Sequence, residues 1–498
     1  MGKSLFNTVG WFAPILIALV ATPWLIRELG TGRFGVFSIC LLLATLIPSL
    51  DLGFGTAATR ELASVRGTED RVQATASELL GLALLLAAAA FGLLYLLRGQ
   101  LVVWLSFDRA LPMAEATALM VLVGAWVAAG YLVNALAALP RADERFSLLA
   151  AISIASSLGL WLGAVGLVRA GYGLKHILML GCGLALANAA GLFALHVRRI
   201  RRVPRPSFRW PILRSQQGFA YHSFASNLAS VATYHADKAI ISSVLGPAPA
   251  GLYSASAGVA NKLVGLTAAL AGVLFPRIAH LHANVGGSHR IARLYFVTNR
   301  VMLAINTSLA ATGLVLAERF LALWLGELAS GELVLAFRLL IVAYWLASWS
   351  VVAANVLSGI GSAQRAAWFS AGGGILTVLG ALVLVPRFGL VGAALAGVIG
   401  MSQALVFDLL LERDMRRLHA IQGFSRWKTL FACLTSSAAA ALCAHFGVLL
   451  FNGWPGFIVA GAAALMVSTA LWFILGFARR EERVLLARYL KRLGIKTT

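Results

Sequence analysis

Residues 29–38 read LGTGRFGVFS and residues 245–254 read LGPAPAGLYS, a displacement of 216 positions. Leu29, Gly30, Gly35 and Ser38 recur as Leu245, Gly246, Gly251 and Ser254, while Phe37 becomes Tyr253. The same displacement maps Tyr172-Gly173-Leu174 onto Phe388-Gly389-Leu390. A third match sets Asn134-Ala-Leu136 against Asn355-Val-Leu357, where the displacement has drifted to 221. Gly and Leu are common in this chain, so one match alone carries little. Two islands at one offset imply an internal duplication, the trace left by chains built from two packed helical bundles.

Composition says where such bundles sit. Of the 498 residues, 60% are hydrophobic and only 12% charged, against roughly a quarter charged in soluble proteins. The apolar residues fall into runs of about 20, enough for a helix to cross a hydrocarbon core of ~30 Å. Fourteen runs are read, near 7–26, 35–56, 79–97, 117–138, 148–168, 176–197, 219–245, 251–275, 297–317, 334–357, 367–385, 389–411, 429–450 and 456–477. No long stretch alternates apolar with polar residues, which excludes a β-barrel reading. Backbone facing lipid must satisfy its own hydrogen bonds, so the expected fold is all-α.

Charge orients the helices. With the N-terminus inside, 29 of the 41 Lys and Arg fall on the cytoplasmic side, 8 on outer loops and 4 within helices. That asymmetry follows the positive-inside rule and predicts an even helix count with both ends cytoplasmic. The densest cluster is Arg198, Arg199, Arg201, Arg202, Arg205, Arg209 and Arg214, where the two repeats join. A formal charge of +22 raises the question of nucleic acid. The arginines flank membrane spans, however, and attraction to anionic membrane lipid accounts for them; no nucleic-acid partner is expected.

The expected organisation is an N-lobe at 1–197 (helices one to six), a basic linker at 198–218 and a C-lobe at 219–411 (helices seven to twelve). A basic loop at 412–428, helices thirteen and fourteen within 429–477 and a basic tail at 478–498 follow. An even number of helices per copy relates the two six-helix lobes by a pseudo-two-fold along the membrane normal, with a cavity between them. Outer loops are short; the longest, roughly 98–116, carries Trp104, Phe107 and Leu111 and is expected along the interface. None has room for a soluble catalytic domain, which takes at least about 50 residues.

Polar residues within the runs are the functional candidates. Arg300, Arg338, Glu78, Asp408 and Asp51 stand near the ends of their runs, where a side chain can reach water. Asp237 and Lys238 lie seven or eight residues from the outer end of the seventh run, and Lys262 about eleven residues into the eighth. At 1.5 Å per residue these depths are ~11 to 17 Å, too deep for easy escape. His235 and Lys238, at i and i+3, share a helix face. One reading is a buried Asp237–Lys262 pair that only fixes packing, although such pairs are unreliable stabilisers. The other is a cationic patch on a water-filled cavity, Lys238 and Lys262 meeting an anionic headgroup such as a phosphate. His235 and Asp237 then form a proton-coupling pair.

The remaining residue types exclude other chemistry. Cys40, Cys182, Cys433 and Cys443 lie within apolar runs without CxxC spacing and read as small packing residues. His280, His282 and His289 lack the Cys or spaced carboxylate of a zinc site. No nucleophile–His arrangement, HExxH or Asp-rich pair is present. Neither a metal nor a cofactor is expected, and the chain is read as a non-enzyme. The first run lacks a cleavable leader's pattern, because apolar residues continue past Ala21-Thr-Pro23, and it is kept as a membrane helix.

Three stretches carry a resemblance. Asp51-Leu-Gly53-Phe-Gly55 followed by Arg60, Asp237-Lys238 with Leu245-Gly246 and Gly251-Leu-Tyr253, and Phe388-Gly389-Leu390-Val-Gly392-Ala-Ala394 resemble motifs of the Wzx-type oligosaccharide flippases. These form a branch of the multidrug/oligosaccharidyl-lipid/polysaccharide exporter superfamily. The resemblance implies a V-shaped pair of lobes, alternating access and polyprenyl-pyrophosphate-linked glycan as cargo, moved from the inner to the outer leaflet of a bacterial inner membrane. A polysaccharide polymerase or copolymerase is an implied partner. In relatives the cavity is lined chiefly by the first two helices of each lobe, where Asp237, Lys238 and Lys262 fall; Asp51, with Asp237 and His235, is then a coupling or gating candidate. The first helix has no internal Arg or Lys, unlike the peptidoglycan-precursor flippases, which argues against lipid II as cargo. A multidrug exporter of the same superfamily is the second reading; it favours deep carboxylates, which deep lysines outnumber here. A membrane-embedded polymerase or glycosyltransferase is the third, and short outer loops argue against it.

Overall fold

The computed structural model describes residues 17–474 apart from 66–67, 210, 216, 272–277, 279–280, 282–286, 361, 420–425 and 451–452. Among the described residues there is no β-strand. The helices run as α1 (residues 17–29), α2 (Thr31–Leu46), α3 (Phe54–Ser64), α4 (Glu69–Leu96), α5 (Arg98–Trp104) and α6 (Met113–Leu136). Next come α7 (Ala138–Ala142), α8 (Phe146–Arg169), α9 (Leu174–Ile200), α10 (Pro211–Ser215), α11 (Gln217–Leu245), α12 (Pro247–Ala260) and α13 (Lys262–Ala271). The chain continues with α14 (Gly287–Leu325), α15 (Gly331–Gly359), α16 (Ala363–His419), α17 (Arg426–Leu450) and α18 (Gly453–Ile474).

Ten helices among the described residues are long and apolar enough to cross a membrane, and the chain is an all-α, multi-pass membrane protein. One of the ten, Gln364–Arg417, is two legs. Pro386 withholds a donor, and Gly389 turns out of helix at φ 56°, ψ −134°. Its legs are the expected runs 367–385 and 389–411. Three expected runs are not among the ten. The first, 7–26, lies partly outside the described residues and is helical from residue 17. The seventh is α11, interrupted by Tyr, His, Ser, Asn, Asp and Lys. The eighth is split into α12 and α13 by a turn at Asn261.

The chain forms two compact units, residues 1–231 with 238–255, and residues 232–237 with 256–498. In the first, α6 is central and packs on α4, α9 and α2. Phe37 closes edge-on to Trp161 at 6.0 Å. This unit extends past the Arg-rich linker to take in the end of α11 and most of α12. In the second, α15 packs on both legs of α16 and on α14, and α17 pairs with α18. Tyr295, Phe296, Val352, Val356 and Phe407 belong to a buried cluster within it.

Candidate functional site

The two copies of the repeat meet inside the first unit. Gly30 and Gly246 both adopt positive φ, 80° and 98°, a conformation that only glycine adopts without strain. Each amide closes the helix before it, Gly30 N–H to the Ile26 carbonyl and Gly246 N–H to the Ser242 carbonyl, both at 3.0 Å. The chain then starts α2 or α12, and those helices touch backbone to backbone. A Cβ on Gly251 would lie 2.6 Å from Gly35 Cα, and one on Gly35 would overlap the Pro247 carbonyl. The equivalent glycines of the duplication thus face one another across a contact made chiefly of backbone, with the Phe34 ring at its edge. Segment 98–111 straps this corner. The Ser242 hydroxyl donates to the Leu105 carbonyl at 2.7 Å, Ser106 to that of Ser243 at 3.2 Å, and Arg109 to that of Val244 at 3.4 Å. Of the three apolar residues singled out in this segment, Phe107 and Leu111 are buried and Trp104 is exposed.

Lys238, one turn and a half before that corner, is buried. Its ammonium lies 5.9 Å from the centre of the buried Tyr253 ring, a cation–π contact worth up to about 2 kcal/mol when desolvated. Tyr253 is the repeat mate of Phe37, so the duplication supplies the ring that receives the lysine. Asp237 belongs to the second unit and is buried there. Beside it in sequence, Tyr234 stacks on Tyr344 at 6.1 Å, with 7° between the planes. His235 is half-buried, and Lys262 is exposed at the start of α13.

Asp51 occupies a built turn. One carboxylate oxygen accepts from Gly53 N–H at 3.0 Å and the other from Gly55 N–H at 2.9 Å, covering open donors at the start of α3. Leu52 and Gly53 both take positive φ, 56° and 76°. A Cβ on Gly55 would collide with the Asp51 carboxylate, and one on Gly53 with the Ala220 carbonyl of α11. The spacing Asp-x-Gly-x-Gly therefore encodes a capped turn docked on another helix. Burial raises the Asp51 carboxyl above the ordinary carboxylate range; the Gly55 and Gly53 amides and the Arg141 guanidinium partly offset it.

Of the charges expected to reach water from helix ends, Asp408 and Glu78 are instead buried inside longer helices, whereas Arg338 is partly exposed. Asp408 is fully buried and accepts from the Tyr295 hydroxyl at 2.6 Å and from Asn299 Nδ2 at 3.0 Å. Glu78 is buried on α4, which starts nine residues earlier, at Glu69. Arg300 lies over the Trp472 ring at 5.4 Å, and Arg338 pairs with Glu318 at 3.3 Å. The end of an apolar run is not the end of its helix, because polar residues extend α4, α14 and α16 beyond it. His280 and His282 lie outside the described residues; no group of three His, Cys, Asp or Glu among those described could hold a metal.

The sequence reading missed one further feature, the strapping of linker 201–217 along α4. Gln73 donates to the Val203 carbonyl at 2.9 Å and the Ser207 amide to that of Ser77 at 2.9 Å. Arg202 pairs with Asp70, and Gly81 lets the Ser207 carbonyl approach backbone. Between linker, α4 and the Asp51 turn lies a cavity of about 970 Å³ lined by Leu52, Phe54, Leu82, Leu85, Leu86, Phe208, Arg209 and Arg214, among others. Only the crowding of arginines around Pro204, Pro206 and Pro211 signals it in sequence.

Known proteins share this architecture. The fold is that of a lipid II flippase, MurJ, in an inward closed conformation, with TM-score 0.74 at 13% identity over 94% of this chain and 98% of that one. An inward-facing multidrug resistance MATE family transporter of the MOP superfamily follows at 0.63, with 16% identity over 82% and 96%. In sequence, a Shigella flexneri protein described as a candidate O-antigen transporter is 23% identical over 413 residues, 82% of this chain and 96% of its own length. The model of one family, described as polysaccharide biosynthesis protein, matches residues 25–331, which spans the first repeat copy, the Asp51 turn, the linker and the second copy. The chain belongs to that family.

Proposed function

We propose that this protein is a flippase that moves polyprenyl-pyrophosphate-linked oligosaccharide from the cytoplasmic to the outer leaflet of a bacterial inner membrane, for assembly of a surface polysaccharide. It works by alternating access, with both chain ends cytoplasmic. The observation that carries this reading is the meeting of the two repeat copies at Gly35 and Gly251. A contact made by equivalent residues of a duplicated chain, mostly backbone on backbone, is a seam that closes one side and parts to open it. The need is physical: a sugar with a pyrophosphate cannot cross hydrocarbon unaided, whereas its prenyl tail can remain in lipid. Family membership and the flippase fold support the same cargo class.

In this reading Lys238 and Lys262 receive the pyrophosphate. The Lys238 ammonium leaves the Tyr253 ring as the seam parts, exchanging a cation–π contact for a charge-assisted one that is roughly twice as strong as a neutral hydrogen bond. Asp237 and His235 are the proton-coupling candidates. Asp51 acts on gating through its turn, which holds α3 against α11. Anionic lipid neutralises the Arg-rich linker, and a polymerase or copolymerase takes the delivered glycan. The likeness to multidrug transporters favours a second reading, export of organic cations; a buried lysine in place of a free carboxylate counts against it.

The test is glycan export in a deletion strain complemented with Lys238→Ala, Lys262→Ala and both. Each single variant lowers surface glycan at unchanged membrane levels; full export by the double variant refutes the headgroup site. Mass spectrometry of co-purified lipid identifies the cargo, and tight competition by organic cations would transfer the assignment to the multidrug reading.

A further inference from the structure

The groove between α4, the Asp51 turn and the linker lies wholly within the first unit and is separate from Lys238. Its walls are apolar, with Leu82, Leu85 and Leu86 from α4 and Phe208 from the linker. Leu85 and Phe208 are exposed at 47% and 63%, so a ligand chain lying there would cover surface that the fold leaves open. Arg209 and Arg214 stand at the same cavity, and no Asp or Glu is among the described residues that line it. The nearest carboxylate in sequence, Asp51, has both oxygens turned to its own amides. A second cavity of about 590 Å³ shares Leu52, Phe54 and Gln217 and adds Tyr221 and Phe224. The two form one path, running from an apolar wall past two guanidinium groups to aromatic rings and an amide.

We infer that this path is a docking site for the cargo lipid before translocation. The first prenyl units lie on Leu85 and Phe208, the pyrophosphate between Arg209 and Arg214, and the first sugar against Tyr221 and Gln217. The inference rests on the flippase reading and names a second site for the same substrate. Charge decides the head: a pyrophosphate diester carries two ionised oxygens for two guanidinium forks, whereas a phospholipid's phosphodiester carries one. Aromatic rings with a polar edge suit a sugar, apolar on its face and polar at its rim. The linker is fixed to α4 by hydrogen bonds from the Gln73 side chain to the Val203 carbonyl and from the Ser207 amide to the Ser77 carbonyl. The backbone next to Arg209 is thus set before the ligand arrives, which lowers the ordering cost of binding.

The experiment is native mass spectrometry of the full-length protein in detergent, titrated separately with polyprenyl pyrophosphate, polyprenyl monophosphate and phosphatidylglycerol. Wild type retains the pyrophosphate at least about tenfold better than the other two, and Arg209→Gln with Arg214→Gln brings it down to their level. Leu85→Asn weakens all three alike. Equal retention of phosphatidylglycerol by wild type, or undiminished pyrophosphate binding by the double arginine variant, overturns the site. If that variant binds normally while Lys238→Ala abolishes export, the groove falls and the flippase reading stands. If wild type binds none of the three lipids and restores no glycan export, both fall.

Discussion

Substituting Gly251 by Ala puts one methyl group into the seam between the repeat copies. Its Cβ would lie 2.6 Å from Gly35 Cα, 3.0 Å from Gly35 N and 3.2 Å from Phe34 Cδ1. Ordinary carbon–carbon contact begins near 3.5 Å, so α2 and α12 must separate by roughly 1 Å. Neither neighbour can give way cheaply, since two of the three atoms are backbone. Overpacking of this kind costs about 1–3 kcal/mol, and only while the seam is closed. Alanine's helix advantage over glycine, about 1 kcal/mol, applies whether the seam is closed or parted. The substitution therefore moves the closed–parted equilibrium by a factor of about 5 to 150.

Maleimide labelling of Ser254→Cys, in a chain whose four native cysteines are replaced, reads this shift directly. Ser254 is half-buried, and its buried hydroxyl has no hydrogen-bond partner, so the cysteine forfeits no bond. The labelling rate rises by the factor above in the Gly251→Ala background. Gly258→Ala is the control: it lies on the same helix and its added Cβ meets nothing within 4 Å, so labelling stays at the parent rate. If Gly251→Ala also labels at the parent rate, at normal membrane levels, the glycine contact is not the closing seam.

The other expectations concern named contacts. Gly35→Ala acts in the same direction as Gly251→Ala, and the double variant falls short of their sum, because both methyls open one contact; labelling of Ser254→Cys checks this as well. Asp408→Ala takes the carboxylate from the Asn299 amide and leaves the buried Tyr295 hydroxyl only the longer 3.3 Å bond to the residue 408 carbonyl, costing about 1–3 kcal/mol; a thermal melt in detergent at the wild-type midpoint would exclude that role. Asp51→Asn loses one of two accepted amide bonds, about 1 kcal/mol. Because the folded-state Asp51 carboxyl is raised by burial, its stability contribution is greatest below the ordinary carboxylate range and falls as pH rises through the raised value. The Asn penalty in a detergent melt therefore shrinks from pH 4 to pH 7, and a penalty that grows contradicts the raised carboxyl. Tyr253→Leu removes the ring from Lys238 and forfeits a cation–π contact of up to about 2 kcal/mol; an unchanged midpoint in a detergent melt would exclude that contact.

What the sequence made legible were features that depend on few residues close together. Gly30 and Gly246 reveal the duplication because a left-handed residue closing one helix before the next restricts the choice to glycine in both copies. Gly389 also takes positive φ, between the two legs of α16, whereas its counterpart Gly173, which precedes α9, is extended at φ −87°. Apolar length gave eleven of the fourteen expected runs, with the kinked α16 counted as its two legs. Of the three runs it left open, the first lies partly outside the described residues, and the other two are broken by polar residues: α11 carries His235, Asp237 and Lys238, and α12 ends at the turn of Asn261 just before Lys262.

Contacts between distant segments were not legible, and they decide what each charge does. Position within an apolar run marked Lys238 as deep, but nothing local could show that Tyr253 would receive its ammonium. The same measure misjudged Asp408, since α16 continues to His419 and α14 brings Tyr295 and Asn299 across to it. The Asp51 motif shows both limits at once. Its glycine spacing was readable as a pattern, yet its cause is tertiary: Gly53 is required by the Ala220 carbonyl of a helix more than 150 residues away. That distance explains why a substitution in a short turn after α2 is expected to alter the setting of α11, the helix that carries the proposed headgroup lysine.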